Sequence, residues 1–126
     1  MIQDKQCTAN VCHQIGVNEG YFNGQDSRPA RNRNPGDLRG WPGYPQDAGM
    51  FSIFDSDAVG WAKLAEDFNN HCRSYPEHTF FDWIGGDGAG WPGYAPAKDS
   101  NDPVSYAASL VRAAGCDANT KLGDLP

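Results

Sequence analysis

Glutamate is scarce in this chain. Of 126 residues 16 are acidic, and three of these are glutamates (Glu19, Glu66, Glu77) against thirteen aspartates. No apolar run approaches the ~18 residues of a membrane-spanning helix, so membrane insertion is not expected. Met1-Ile-Gln-Asp-Lys-Gln6 has no hydrophobic segment, and a classical secretory leader is therefore not expected either. Basic residues are also few. Ten Lys+Arg against 16 Asp+Glu leave a net charge of −6, which argues against nucleic acid as the main partner. A phosphate loop, a dinucleotide fingerprint and a serine-nucleophile elbow are all missing. The histidines (His13, His71, His78) form no ligand motif, and Asp99-Ser-Asn-Asp102 lacks the spacing and glycine of a calcium loop. No metal and no cofactor are expected.

What is present reads as one domain spanning residues 1–126, of ordinary globular composition: 39% hydrophobic, 12% aromatic and 21% charged. Fifteen glycines and nine prolines call for extensive loops. The basic residues are unevenly spread. Arg28, Arg31, Arg33 and Arg39 lie within twelve positions, a cationic stretch in an acidic protein that either meets anionic groups of a ligand or balances nearby aspartates. Four cysteines (Cys7, Cys12, Cys72, Cys116) allow three disulfide pairings and suit an oxidising compartment. Cys7 and Cys12 straddle the expected start of a helix, so each favours a distant partner. Buried thiols are the alternative, and C-x₄-C with two isolated cysteines is poor zinc spacing.

Periodicity points to an α+β fold, mostly helical, with a small β-hairpin region. Thr8 is the expected N-cap of a first helix running to about Gly20, with Val11, Cys12, Ile15, Glu19 and Phe22 on one face. Residues 23–35 read as loop. Asp37–Trp41 and Met50–Phe54 read as short strands joined across 43–49. Ser56 caps a second helix whose Trp61, Leu64, Ala65, Phe68 and Cys72 recur at helical spacing. A short helix follows Thr79, then the glycine-rich Gly85–Gly90. The last helix has Asp102 as cap, Pro103 at its first position and Gly115 past its end.

Gly-Trp-Pro-Gly-Tyr occurs at 40–44 and again at 90–94. Trp41, Tyr44, Trp91 and Tyr94 are either exposed platforms for sugar rings or buried corners that pin loops to the core. Among the glutamates, Glu66 falls opposite the apolar stripe of its helix and Glu77 sits in a turn after Pro76. Glu19 shares the apolar face of the first helix at its C-terminal end. Partial desolvation and the negative end of the helix dipole both disfavour its ionisation, as a general acid requires.

Val17-Asn-Glu-Gly-Tyr-Phe22 followed by Arg28-Pro-Ala-Arg-Asn-Arg-Asn-Pro-Gly-Asp-Leu-Arg39 resembles a lysozyme-like family of bacteria and phages. Its members carry Glu-Gly on a first helix and then Arg-Asn-Asn-Asn-Pro-Gly-(Asn/Asp)-(Leu/Ile)-Arg. Phe51-Ser-Ile-Phe-Asp-Ser56, Gly60-Trp-Ala62, Tyr94-Ala-Pro96, Asp99-Ser-Asn-Asp-Pro103 and Tyr106 extend the likeness over about residues 11–115. Two departures stand out: Arg33 in place of the middle Asn, and the glycine-rich segment at 85–90. The resemblance implies a lysozyme-like fold with Glu19 catalytic, Asn34, Asp37 and Arg39 on the β-side of a cleft and Tyr94 near its floor; Trp41, from the repeated pentapeptide, is expected to bind substrate with them. The implied substrate is the peptidoglycan glycan strand.

Two mechanisms are open. A two-carboxylate glycosidase needs a second acid, for which Asp37, Asp47 and Asp55 are candidates. A lytic transglycosylase needs only Glu19, which protonates the glycosidic oxygen and then takes a proton from the sugar's own 6-hydroxyl; the single-acid scheme is preferred. Relatives that are phage structural proteins supply the rival reading, a non-catalytic peptidoglycan-binding or virion module with the same fold. A further reading is a secreted antibacterial effector, phage- or secretion-system-delivered, acting outside the cytoplasm or in the periplasm and neutralised by a cognate inhibitor or immunity protein.

Overall fold

The structure is a computed structural model in which residues 4–126 are described. It is mostly helical. Among the described residues the α-helices are α1 (Lys5–Glu19), α2 (Arg28–Arg31), α3 (Asp57–Ser74), α4 (Phe80–Gly85) and α5 (Pro103–Ala114). Single 3₁₀ turns occupy Tyr21–Asn23, Ala97–Asp99 and Leu122–Asp124. No helix is long and apolar enough to cross a membrane among those residues.

The helix starts follow capping chemistry. Asp4, rather than Thr8, begins α1: its Oδ1 accepts from the amides of Gln6 (2.8 Å) and Cys7 (3.2 Å). Ser56 caps α3 through Val59 N–H, as expected. Thr79 and Asp82 form a reciprocal capping box on α4. Asp102 caps α5, with Pro103 behind it and Gly115 in the left-handed conformation at the end, also as expected. The unexpected helix is α2, inside the stretch read as loop. Ser27 caps it from Ala30 N–H and Pro29 sits in its first turn. Helix α1 ends at Glu19, and Phe22 is not on its face: Gly20 (φ 86°) turns the chain, and Phe22 lies 51% exposed in the 3₁₀ turn beyond.

The described chain parts into two compact units, one of residues 4–11 and 68–126, the other of residues 12–67. In the first, α4 packs on α5, and Phe68, Cys72, Phe80, Trp83, Leu110 and Leu122 are fully or almost fully buried. Phe68 stacks on Trp83 with ring centroids 5.1 Å apart. Gly93 fits here because a Cβ would lie 2.7 Å from the carbonyl oxygen of Ile84, and its φ of 106° is left-handed besides.

In the second unit Ile15, Leu38, Phe51, Phe54 and Leu64 are buried. Gly16, in the middle of α1, costs helix propensity but admits the Trp61 ring: a Cβ would lie 2.7 Å from Trp61 Cη2. The expected β-hairpin is not formed. Segments 37–41 and 50–54 meet through one isolated antiparallel bridge, Arg39 with Phe51, and the connection between them adds a second, Gln46 with Ser52. Pro42 and Pro45 have no N–H for a ladder. Asp37 (φ 52°), Gly40 (65°), Gly43 (85°) and Met50 (70°) put left-handed kinks where strands need extended backbone. The segment is an ordered loop fastened by individual bonds.

Candidate functional site

Glu19 is the last residue of α1 and is half-buried. It sits within the electrostatic reach of the Arg28 guanidinium on α2. Arg28 in turn grips Asp37: Nε lies 3.1 and 3.2 Å from the two carboxylate oxygens, and Nη2 closes a second, short bond to Oδ2. This fork holds a carboxylate whose side chain is only 5% exposed, and the Asp37 hydrogen bond leads the influences that hold the Arg28 proton more tightly than usual. The Arg28 guanidinium also lies over the Phe51 ring at 3.6 Å, with Arg39 over the same ring at 4.5 Å. Phe51 is thus the apolar post for two cations.

A third carboxylate shares this field. Asp47 accepts from Asn32 Nδ2 (2.9 Å), Gly49 N–H (2.9 Å) and Phe51 N–H (3.0 Å). The Asn32 bond, followed by the two amides and the charge of Arg28, holds its carboxyl below the usual aspartate range. Asp47 is fixed as an anion. Asp55 is exposed just before α3.

Asn34 serves differently from the substrate contact that the resemblance implied. It is 0% exposed. Its Nδ2 donates to the carbonyls of Leu38 and Ser52, both at 2.9 Å, and its Oδ1 accepts from Leu38 N–H at 2.9 Å. The amide does the work that a strand ladder would do, tying the two sides of the loop together. Asp37 and Arg39 stand on that scaffold with Phe51. Trp41 follows, half-buried, its N–H on Ser52 Oγ (2.9 Å), its ring 6.4 Å from Phe54 and 5.2 Å from Lys63 Nζ. Asp37 and Arg39 therefore gather with Arg28 at Phe51 on the loop that Asn34 ties, Trp41 continues that loop, and Glu19 is linked to the group through the charge of Arg28.

Tyr94 belongs to the other unit. It is half-buried, its N–H donates to Trp83 O (2.8 Å), and its ring lies 5.2 Å from Trp83 and 6.4 Å from Tyr106. Trp91, its partner in the repeated pentapeptide, donates Nε1–H to Trp83 O at 2.8 Å. The second copy is pinned to its unit's core, and both copies are only part-exposed. The other glutamates are surface groups: Glu66 pairs with Lys63 (3.3 Å), and Glu77 with Lys121 (2.6 Å).

A polar chain that no sequence motif marks runs through the first unit. His71 Nε2 lies 3.0 Å from His78 Nδ1, and His78 Nε2 lies 2.8 Å from Asp87 Oδ2. Asp87 stands in the glycine-rich loop, where the amides of Ala89 and Trp91, together with His78, pull its carboxyl down to about 2. An ionised Asp87 fixes the proton of His78 on Nε2, so Nδ1 accepts from His71 Nε2–H. Burial lowers His71 to about 4, helped by His78 and opposed by Asp87. The Tyr75 ring lies 4.6 Å from His71 and 4.5 Å from His78, and the Trp91 ring lies 4.5 Å from His71. The seven-residue spacing of the two histidines, across the end of α3 and a turn, carried no recognisable signal.

All four cysteines are thiols in the structure, none bonded to another. Burial raises Cys7 and Cys116 and pushes Cys72 up to about 12, which makes inert thiols of them at neutral pH. Among the described residues no group of three or more His, Cys, Asp or Glu is placed to hold a metal ion. Comparison with known proteins adds nothing to this geometry: no family model, no curated protein and no solved structure matches the chain.

Proposed function

We propose that this is a lysozyme-like enzyme that cleaves the glycan strand of peptidoglycan, with Glu19 as the acid and base. The observation that carries the reading is the setting of Glu19. A half-buried carboxyl at the end of α1 lies within reach of Arg28, which an ordered loop holds through Asp37 and Phe51. The Glu-Gly and Asn-Pro-Gly-Asp-Leu-Arg motifs fall on those elements, the first on the end of α1 and the second on the loop.

The state of the neighbouring carboxylates favours single-acid chemistry. Asp37 is locked to Arg28, and Asp47 is committed to three donors. Neither is disposed to attack an anomeric carbon or to activate water. In the proposed reaction Glu19 delivers its proton to the glycosidic oxygen as the C1–O bond breaks. The resulting carboxylate then takes the proton of the muramyl 6-hydroxyl while O6 bonds to C1. Proton and charge balance within the pair, and the product carries a 1,6-anhydro end. Asp47, fixed as an anion, has the sign that suits the cationic C1 developing between the two steps.

Mass spectrometry of the fragments released from purified sacculi tests this. Soluble muropeptides with 1,6-anhydro ends are expected; reducing ends would replace the single-acid scheme with hydrolysis. Saturable sacculus binding without any release would favour the non-catalytic module. Delivery outside the cytoplasm and a cognate inhibitor belong to this proposal: toxicity on export to the periplasm, absent on cytoplasmic expression, is the expected result.

A further inference from the structure

The second unit contains a pocket of about 470 Å³ bounded by the 3₁₀ turn after Glu19, by α2 and by the start of α3. Tyr21, Phe22 and Ala30 give it apolar walls, and Arg31, Arg33 and Asp57 give it charge. Its size falls within the range of small-molecule sites.

The charges do not cancel. Asp57 Oδ1 already accepts the Tyr21 phenol at 2.6 Å. Two arginines then share the pocket lining with that one occupied carboxylate, in a protein whose net charge is −6. Both arginines are held by backbone carbonyls rather than by acids: Arg31 Nη1 donates to Asp26 O, and Arg33 Nε donates to Phe54 O at 2.7 Å. These bonds orient the side chains, and neither arginine forms an ion pair with a described carboxylate, Asp57 being the one acid they share the pocket with. With Nε of Arg33 committed, its two Nη groups are the edge left for a ligand, the geometry that suits a carboxylate.

The backbone makes the same point. Arg33 adopts φ 50°, a left-handed conformation that costs a non-glycine residue energy. Its carbonyl occupies the space that a Cβ on Gly60 would need. The apolar wall is rigid as well. Tyr21 and Phe22 meet edge-on at 5.0 Å, and both lean on Trp61, at 5.2 and 5.9 Å. A half-exposed phenyl ring beside two cations that share a single carboxylate fits a ligand with an apolar flank and one anionic group.

We infer that this pocket is a subsite for the carboxylate of a peptide carried by the substrate. Within the function proposed above, on which this step rests, that peptide is the stem attached to the muramyl sugar. Tyr21 follows Glu19 by two residues, so a strand seated at Glu19 brings the stem to the pocket. The subsite lets the enzyme distinguish peptide-bearing strands from bare ones, and Arg33, which replaces an asparagine of the resembled family, is specific to this chain's version of it.

Muramyl dipeptide, with its single carboxylate on D-isoglutamine, is the probe, titrated by NMR against the labelled full chain. Saturable shifts at the amides of Gln25, Ala30 and Arg31 are expected. Amidating the probe's carboxylate, or replacing Arg31→Gln, should each weaken binding about tenfold, while the exposed position of Arg31 leaves the spectrum that of a folded protein. On sacculi, Arg31→Gln should raise KM with kcat retained, and on strands stripped of stems by an amidase it should change nothing. Equal binding of probe and amide, or an equal loss on both strand types, would overturn the subsite. Equally tight binding of acetate at the same residues would assign the pocket to small anions instead of stems. Cleavage of sacculi without any probe shift removes the subsite and keeps the proposed function. A probe shift without cleavage does the reverse.

Discussion

Replacing Asn34 with alanine isolates what holds the site loop together. The side chain is completely buried and makes three bonds to backbone groups of Leu38 and Ser52. They are not equal losses. The Leu38 carbonyl keeps a second partner, Ser52 N–H at 2.8 Å, so its remaining bond covers part of the cost. The Leu38 N–H and the Ser52 carbonyl lose the side chain that satisfies them. Each such buried group costs about 1–3 kcal/mol, and the missing amide leaves a small cavity, so a total of about 3–5 kcal/mol is expected. At roughly 4 °C per kcal/mol for a chain of this size, Tm should fall by about 12–20 °C. Urea unfolding followed by tryptophan fluorescence measures it, with a lowered midpoint and an unchanged slope. Asn34→Asp should be no better. It keeps the acceptor for Leu38 N–H but aims a carboxylate oxygen at two carbonyls. An Asn34→Ala protein within about 1 kcal/mol of the parent would refute the claim that this amide replaces the missing strand ladder.

Acid should weaken the first unit through His71. Its folded-state proton affinity is lowered to about 4 against an ordinary value near 6.5, so the unfolded chain takes the proton first. Stability present at neutral pH is therefore lost as the pH falls from about 6.5 towards 4. The shift corresponds to at most about 3 kcal/mol, reduced by solvent screening to about 2. Urea midpoints at pH 7 and pH 4.5 should show this drop, and His71→Phe should flatten it; a flat profile for the parent would contradict it. Gly60→Ala should destabilise by at least about 3 kcal/mol. Its Cβ would collide with the Arg33 carbonyl oxygen and lie 2.9 Å from Pro35 Cδ, both inflexible. Thermal unfolding reads this directly, and a parent-like Tm would contradict the close approach of α3 to the loop.

The parts of this structure legible in the sequence are those governed by local chemistry. Ser56, Thr79, Asp102-Pro103 and Gly115 mark helix ends because capping involves residues three or four apart, and all four are used as expected. Glu19 was legible as an exceptional glutamate by its place at the end of α1. The failures have a common cause. Asp4 displaced Thr8 as a cap because either residue satisfies the local rule. The alternating apolar residues of Met50–Phe54 suggested a strand. Whether they pair depends on the prolines and left-handed residues of the opposing segment, and on Asn34 reaching across from outside it. Arg28 with Asp37, Asn32 with Asp47, and His71–His78–Asp87 join residues seven to fifteen positions apart, through turns whose geometry no short pattern encodes. Charge counting placed cations near Glu19 and could not say which was already partnered.

Glu19→Gln is the most direct test of the central claim, since it removes one ionisable proton and keeps the side chain's shape. Parent and variant, matched for Tm, are incubated with purified sacculi, and soluble muropeptides are counted by mass spectrometry. The expected result is anhydro-ended fragments from the parent and a loss of at least about a thousandfold in the variant, whose amide cannot donate or recover the proton. Release by Glu19→Gln at the parent's rate would contradict the assignment of Glu19, and with it the function proposed for this chain.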